Sequence, residues 1–142
     1  MADNLTPQQR KIAMSRVRGQ NTTPEKVVRS LLHRLGFRFR KNVKSLPGTP
    51  DIVLPKYRTT IFVNGCFWHG HENCKRASLP NTHREFWEQK ISSNISRDKR
   101  SIKLLQQNGW RVMTIWQCQL RNQKESEEVV QKTALSLISD FD

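Results

Sequence analysis

Two cysteines and two histidines lie close together in a segment with little apolar periodicity. The segment runs from Cys66 to Cys74 and includes His69 and His71, and a third cysteine, Cys118, follows a later apolar run. Structural zinc takes four nitrogen or sulfur ligands in a tetrahedron, so five candidates leave one to spare. The pattern predicts a loop made rigid by zinc. The alternative is three buried free thiols beside surface histidines.

Three carboxylates occupy positions where apolar side chains are expected. Asp51 begins an apolar run directly after a turn, while Glu25 and Asp98 each lie on the apolar stripe of a helix. A buried ionised carboxylate is costly unless a cation or hydrogen-bond donors satisfy it. Asp51 is therefore a candidate Mg²⁺ ligand.

Each carboxylate also has a simpler interpretation. Glu25 lies in a first helical turn, where it can do no more than favour the helix dipole. Asp98 could pair with a core arginine such as Arg111. Asp51 could cap a turn. These alternatives remain open at the level of the sequence.

Aromatic residues are the third group of candidate functional residues. Phe67 and Trp68 lie inside the predicted zinc loop, and Trp87 lies near the start of the following helix. In a basic protein such rings can stack on bases or insert between base pairs. A zinc-bound loop has little core of its own, which favours DNA contact for Phe67 and Trp68. Trp110 and Trp116 flank a predicted strand and are expected in the core.

Periodicity and turn residues indicate the elements that must position these groups. Apolar residues at helical spacing predict helices, and short alternating or apolar runs predict strands. The expected order is α-α-β-β-β-α-β-α, in an α/β fold with a mixed central sheet flanked by helices. The predicted helices cover residues 6–19, 23–35, 84–107 and 126–138, and the predicted strands cover 37–40, 51–54, 60–63 and 111–116. We expect one domain over residues 1–142, with residues 1–20 forming an arginine-rich helical arm on DNA.

The net charge of the chain indicates the class of its binding partner. Lys and Arg number 25 against 12 acidic residues, a formal net charge of +13. A globular domain this basic repels itself unless it meets a polyanion, and nucleic acid is the natural one. The N-terminus has no signal-peptide pattern, and no segment approaches the roughly 18 apolar residues of a membrane span. We therefore expect a cytoplasmic protein whose reduced cysteines are available to a metal.

Taken together, these residues resemble the very short patch repair endonucleases. The similarity extends from about residue 7 to residue 121. The motifs that carry it are TPE at 23–25, PGTPDIV at 47–53, FVNGCFWHGH at 62–71, EFW at 85–87, RD at 97–98, GWRV at 109–112 and WQC at 116–118.

The resemblance implies a restriction-endonuclease-like fold with a structural zinc site. It implies Mg²⁺-dependent nicking on the 5′ side of the mispaired T in a T:G mismatch, the lesion left when 5-methylcytosine deaminates. The substrate would be double-stranded DNA carrying that mismatch. The protein would act as a monomer, together with mismatch-repair proteins such as MutL.

By position, the resemblance implies that Asp51 binds Mg²⁺ with the backbone carbonyl of Val63. His69 would be the general base or water-orienting group, supported by Asp98, and Glu25 would assist at the metal. Zinc would be held by Cys66, His71, Cys74 and Cys118.

The resemblance also implies that Phe67, Trp68 and Trp87 insert beside the mismatch. Asn64 stands where some family members carry histidine. Asparagine can hydrogen-bond a phosphate or leaving group but cannot shuttle a proton. Two further departures are the longer His71-to-Cys74 spacing and Gln117 in place of a frequent glutamate.

Two other functions fit part of the sequence. A non-catalytic, zinc-stabilised DNA-binding module accounts for the charge, cysteines and aromatics but leaves Asp51, His69 and Asp98 without a role. A restriction-type, broader mismatch or structure-specific nuclease would use the same catalytic residues. Only its substrate would distinguish it.

Overall fold

The computed structural model describes residues 22–141, so the expected N-terminal arm at 1–20 lies outside the described part of the chain. Three helices and four strands make up the fold there, with short 3₁₀ turns at Pro55–Tyr57, Lys75–Ala77 and Gln117–Gln119. In chain order the main elements are α1 (Thr23–Arg34), β1 (Arg40–Lys41), β2 (Ile52–Leu54), β3 (Thr59–Asn64), α2 (Arg84–Gln107), β4 (Arg111–Trp116) and α3 (Gln123–Phe141).

The four strands form one mixed sheet in the order β1-β2-β3-β4. The first three strands pair antiparallel, whereas β3 and β4 pair parallel along their full length, from Thr59 opposite Arg111 to Asn64 opposite Trp116. Parallel neighbours require a long crossover, and residues 65–110, which include the Cys66–Cys74 segment and α2, supply it. The sequence prediction of a mixed sheet flanked by helices is confirmed.

Side chains alternate between the two faces of β3, and each face has its own role. Ile61 and Val63 belong to the main hydrophobic cluster, which α1 and α3 complete from outside the sheet. Thr60, Phe62 and Asn64 therefore point to the opposite face. The cluster contains Val28, Leu32, Phe37, Ile52, Leu54, Ile61, Val63, Ile115, Val130, Ala134 and Leu137.

Helix α1 has a defined cap at each end. Thr22 is the N-cap, and its hydroxyl accepts a hydrogen bond from the backbone N–H of Glu25 at 3.4 Å. At the other end Gly36 has a φ of +94°, and Phe37 N–H donates to Leu32 O at 3.1 Å. This left-handed termination turns the chain toward the sheet.

Two expectations about structure need correction. The strand expected at 37–40 is reduced to Arg40–Lys41, because Phe37 is still engaged in ending α1 and its ring packs into the core. Trp110 and Trp116 are partly exposed and lie outside the buried core of the described residues. The Arg58 guanidinium lies over the Trp110 ring at 4.5 Å, and Trp116 stacks on the His71 ring.

Within residues 22–141, none of the helices is long and apolar enough to cross a membrane.

Candidate active site and metal centre

Asp51 lies just before β2 on the sheet face opposite the hydrophobic cluster. The register of β2 and β3, with Ile52 opposite Ile61, brings Asp51 beside the end of β3. Its Oδ2 accepts a 2.6 Å hydrogen bond from the backbone N–H of Val63. Burial raises the pKa of Asp51 to about 7; the Val63 N–H opposes this rise and neighbouring Glu25 adds to it. A bound cation would stabilise the ionised form of such a carboxylate.

Glu25 is buried and close enough to Asp51 to affect its pKa. An interaction with the helix dipole alone would not require this burial. Glu25 is 3% exposed, and its Oε2 lies 3.4 Å from a guanidinium nitrogen of Arg29, which is itself 8% exposed. The two residues are four apart on α1 and point to the same side. Glu25 thus belongs to a buried charged cluster that also includes Asp51.

His69 and Asp98 form a direct pair. Asp98 Oδ2 lies 2.6 Å from His69 Nδ1, and each side chain is 33% exposed. A carboxylate at this distance holds the proton on Nδ1 and leaves Nε2 as the nitrogen available to a substrate. The alternative pairing of Asp98 with Arg111 is wrong, because the Arg111 guanidinium donates to the backbone carbonyl and hydroxyl of Ser136.

These groups share one open cleft of about 1120 Å³. Asn64, 8% exposed at the end of β3, contributes to its wall. Two exposed cations, Lys44 and Arg97, also line it. No role was predicted for either, although Arg97 belongs to the RD motif. The candidate catalytic residues that line the cleft are Glu25, Asp51, Asn64, His69 and Asp98.

Side chains of helix α2 contact three consecutive loop residues, 68–70. Asn94, 8% exposed, donates from its side-chain amide to the backbone carbonyl of Trp68 at 2.9 Å. Asp98, one turn later, holds His69. Gly70 has a φ of +58°, and a Cβ there would lie 2.5 Å from the Ile95 side chain. The sequence patterns did not single out Asn94, although its spacing of four residues from Asp98 places both on one helix face.

Three cysteines and one histidine lie close together, three of them in this loop and the fourth, Cys118, just after β4. The ligand atoms of Cys66, His71, Cys74 and Cys118 all lie within 4.8 Å of one another. Cys118 Sγ is 3.6 Å from His71 Nδ1, and the His71 ring stacks on Trp116 with centroids 4.0 Å apart and planes at 7°.

The donor set of this cluster fits a tetrahedral metal ion. With sulfur ligands about 2.3 Å from zinc, neighbouring ligand atoms stand roughly 3.8 Å apart, so little contraction is needed. His69 points away to Asp98, which leaves His71 as the imidazole of the cluster. Only Cys66 is buried, so the alternative of three buried free thiols is wrong about the burial of Cys74 and Cys118.

Three aromatic rings lie against one another at the outer side of the loop. Phe67 contacts Trp68 and Trp87 edge-on, with ring centroids 5.3 Å apart in each pair, and the two tryptophans are 5.7 Å apart. All three are partly exposed. Phe86 extends the group outward, with its ring 5.1 Å from Trp87 and 59% of the residue exposed.

The fold resembles that of a known nuclease. The chain aligns with the homing endonuclease I-Bth0305I catalytic domain with a TM-score of 0.53 and 24% identity, covering 83% of this chain and 99% of that domain. This likeness concerns the fold. Acidic residues and an imidazole line one cleft of this sheet, a set of groups suited to the hydrolysis of a phosphodiester.

Sequence comparisons identify the family. The family model described as DNA mismatch endonuclease Vsr matches residues 2–76. The type II nicking enzyme V.XorIIP of Xanthomonas oryzae pv. oryzae is 52% identical over 120 residues, covering 84% of this chain and 88% of its own length. The DNA mismatch endonuclease Vsr of Escherichia coli (strain K12) is 43% identical over 125 residues, covering 88% and 80%. This chain therefore belongs to the Vsr family and is a DNA endonuclease.

Proposed function

We propose that this endonuclease nicks DNA on the 5′ side of the mispaired T in a T:G mismatch, in a Mg²⁺-dependent reaction. The observation that carries the proposal is that Asp51 and the His69–Asp98 pair line the same cleft. The names of the relatives, a mismatch endonuclease and a nicking enzyme, support the choice of substrate and product.

Asp51 and the backbone carbonyl of Val63 would hold Mg²⁺, with Glu25 assisting. The residues fit this ion, because carboxylate and carbonyl oxygens are its preferred protein ligands, and two neighbouring buried carboxylates favour a cation. When bound, the ion supplies charge neutralisation at the scissile phosphate.

His69 would take a proton from the attacking water through Nε2. Asp98 accepts the Nδ1 hydrogen bond, fixes the ring orientation and stabilises the imidazolium that forms. Asn64 lines the same cleft and carries two amide donors, so it can hydrogen-bond a phosphate oxygen or the leaving oxygen without transferring a proton.

The cluster of three cysteines and His71 would hold a structural Zn²⁺. Four protein ligands complete the tetrahedral shell and leave no open position for chemistry. The ion would hold the crossover loop against the end of β4 and so support His69 from behind.

Phe67, Trp68 and Trp87 would insert beside the mismatch, and the basic surface would neutralise phosphates. The arm at residues 1–20 would add contacts on the DNA. In this proposal the protein is a single domain that acts as a monomer in the bacterial cytoplasm, in cooperation with mismatch-repair proteins such as MutL.

The test is a nicking assay on labelled duplexes that differ only in one central base pair, with and without Mg²⁺. The expected result is a nick in one strand of the T:G duplex alone, abolished in Asp51→Ala with binding retained. Glu128→Ala removes an exposed carboxylate on α3, outside the cleft, and serves as the control. Equal cutting of matched DNA would instead indicate a restriction-type nuclease, and binding without cutting under all conditions would indicate a DNA-binding module.

A further inference from the structure

A buried arginine lies beside Glu25 and acts on Asp51, and it has no role in the proposed reaction. Arg29 is 8% exposed, and its guanidinium is 3.4 Å from the Glu25 carboxylate. Its positive charge also acts on Asp51, where it opposes the upward shift in pKa that burial causes. The sequence offered only the helical spacing of Glu25 and Arg29 as a signal for this contact.

Arginine keeps its charge under all conditions in a protein, so this positive charge is permanent. With both carboxylates ionised, Glu25, Asp51 and Arg29 together carry one negative charge. A divalent cation at Asp51 turns that into one positive charge in a partly buried environment. Electrostatic repulsion from Arg29 must therefore weaken divalent-ion binding in the free protein.

A DNA phosphate changes this balance. When the scissile phosphate enters the cleft, its negative charge offsets the excess positive charge of the loaded cluster. The ion and the phosphate should thus bind with mutual reinforcement, and the size of that reinforcement should depend on Arg29.

We propose that the fixed positive charge of Arg29, beside Glu25 and close enough to act on Asp51, makes divalent-metal binding at Asp51 dependent on bound DNA. The inference rests on the proposed function in one respect, namely that Asp51 is a metal ligand. Its consequence is that the free enzyme is held mostly metal-free at its cleft and is loaded as the substrate arrives.

The test measures Mn²⁺ binding to the zinc-loaded, full-length protein by electron paramagnetic resonance in the absence of DNA, at about pH 8.5 so that carboxylates are ionised. Arg29→Met should bind Mn²⁺ about tenfold or more tightly than the wild type, because the repelling charge is gone. Arg29→Lys keeps the charge and should retain the weak affinity. Arg34→Met removes an exposed charge from the end of the same helix and should change nothing.

A second arm repeats the titration with a T:G duplex whose scissile linkage is uncleavable. The duplex should strengthen Mn²⁺ binding strongly in the wild type and several-fold less in Arg29→Met. Circular dichroism and thermal melting establish that each variant is folded, and Arg29→Gln replaces Arg29→Met if the latter does not fold. If the folded neutral variant binds Mn²⁺ as weakly as the wild type or more weakly, Arg29 has only a structural role and the inference fails.

Asp51→Ala separates this inference from the proposed function. Loss of Mn²⁺ binding in Asp51→Ala with no effect of Arg29→Met would overturn the role of Arg29 alone. Undiminished Mn²⁺ binding in Asp51→Ala would overturn the assignment of the metal site itself.

Discussion

Asp98 Oδ2 accepts a hydrogen bond from His69 Nδ1 at 2.6 Å, although the two residues are 29 positions apart along the chain. The contact joins the loop that carries the cysteine and histidine cluster to the second half of α2. It fixes which imidazole nitrogen carries the proton and therefore which one can accept a proton in the cleft.

Replacement of the supporting carboxylate tests this relationship. Asp98→Asn should lower the rate of nicking at saturating Mg²⁺ and DNA by about 100-fold, because the amide cannot stabilise an imidazolium. DNA affinity, measured by fluorescence anisotropy, should stay within about twofold, because the amide is isosteric with the carboxyl group.

The double variant gives a sharper result. If the pair acts as one unit, His69→Ala and Asp98→Asn together should be no slower than His69→Ala alone. Ser96→Ala, an exposed change on the same helix, is the control. Fully additive losses would show that Asp98 acts independently of His69.

The raised pKa of Asp51 predicts a pH-dependent stability in the metal-free cleft. Its folded-state pKa is about 7 against an ordinary value of 3.8, so the folded protein binds the proton more tightly than the unfolded chain does. Stability should therefore fall as pH rises from about 4 to about 7, by an amount of up to about 4 kcal/mol. Chemical denaturation of the zinc-loaded protein in Mg²⁺-free buffer measures this loss.

Asp51→Asn removes the titrating group and keeps an oxygen to accept the Val63 N–H. At about pH 8 the variant should be more stable than the wild type, and the difference should vanish near pH 4. Saturating Mg²⁺ should stabilise the wild type and leave the variant unchanged. A wild-type advantage over the variant at about pH 8 without Mg²⁺ would contradict the predicted sign.

Loss of a zinc ligand should lower both the zinc content and the thermal stability of the protein. The purified protein should contain one Zn²⁺ per chain by atomic absorption, and Cys118→Ser should lower that content and the melting temperature, because the loop loses its connection to the end of β4. His33→Ala changes an exposed histidine outside the cluster and should leave both unchanged. Full zinc occupancy in Cys118→Ser would exclude Cys118 as a ligand.

Gly70 should tolerate no side chain, because its Cα lies against α2. Alanine at this position would place a Cβ 2.5 Å from Ile95 and 2.8 Å from Ile91, in addition to the strain of a positive φ. Gly36→Ala is a matched control, since Gly36 also has a positive φ but a Cβ added there would meet nothing within 4 Å. We expect about 1 kcal/mol of destabilisation for Gly36→Ala and about 3 kcal/mol for Gly70→Ala by urea denaturation.

The nicking rates of the same two variants test whether the loop position affects His69 in the cleft. Gly70→Ala should also reduce nicking, because the displaced loop carries His69, whereas Gly36→Ala should cut at the wild-type rate. Equal destabilisation by the two substitutions would mean that α2 does not press on the loop at Gly70.

Much of the fold could be predicted from local sequence. The predicted limits of α2 and β4 agree with the structure, since Gly109 separates two strongly patterned segments. The predicted strand at 37–40 is too long because the alternation of Phe37 to Arg40 looks the same whether the chain pairs with a strand or ends a helix. Only the contact of Phe37 with the core distinguishes the two.

The sequence by itself determined the five candidate donors of the cluster, the carboxylates in apolar stripes, the positive charge and the family. Tertiary structure decided which groups meet. The residue pattern left open whether His69 or His71 joins the cysteines. In the structure His69 contacts Asp98 and His71 lies with the cysteines, and Gly70 between them has a positive φ and packs against α2. The contact of Asn94 with Trp68 joins residues 26 positions apart, which no local period encodes. Helical spacing allows the pair of Glu25 and Arg29, but the burial of that pair depends on segments distant along the chain.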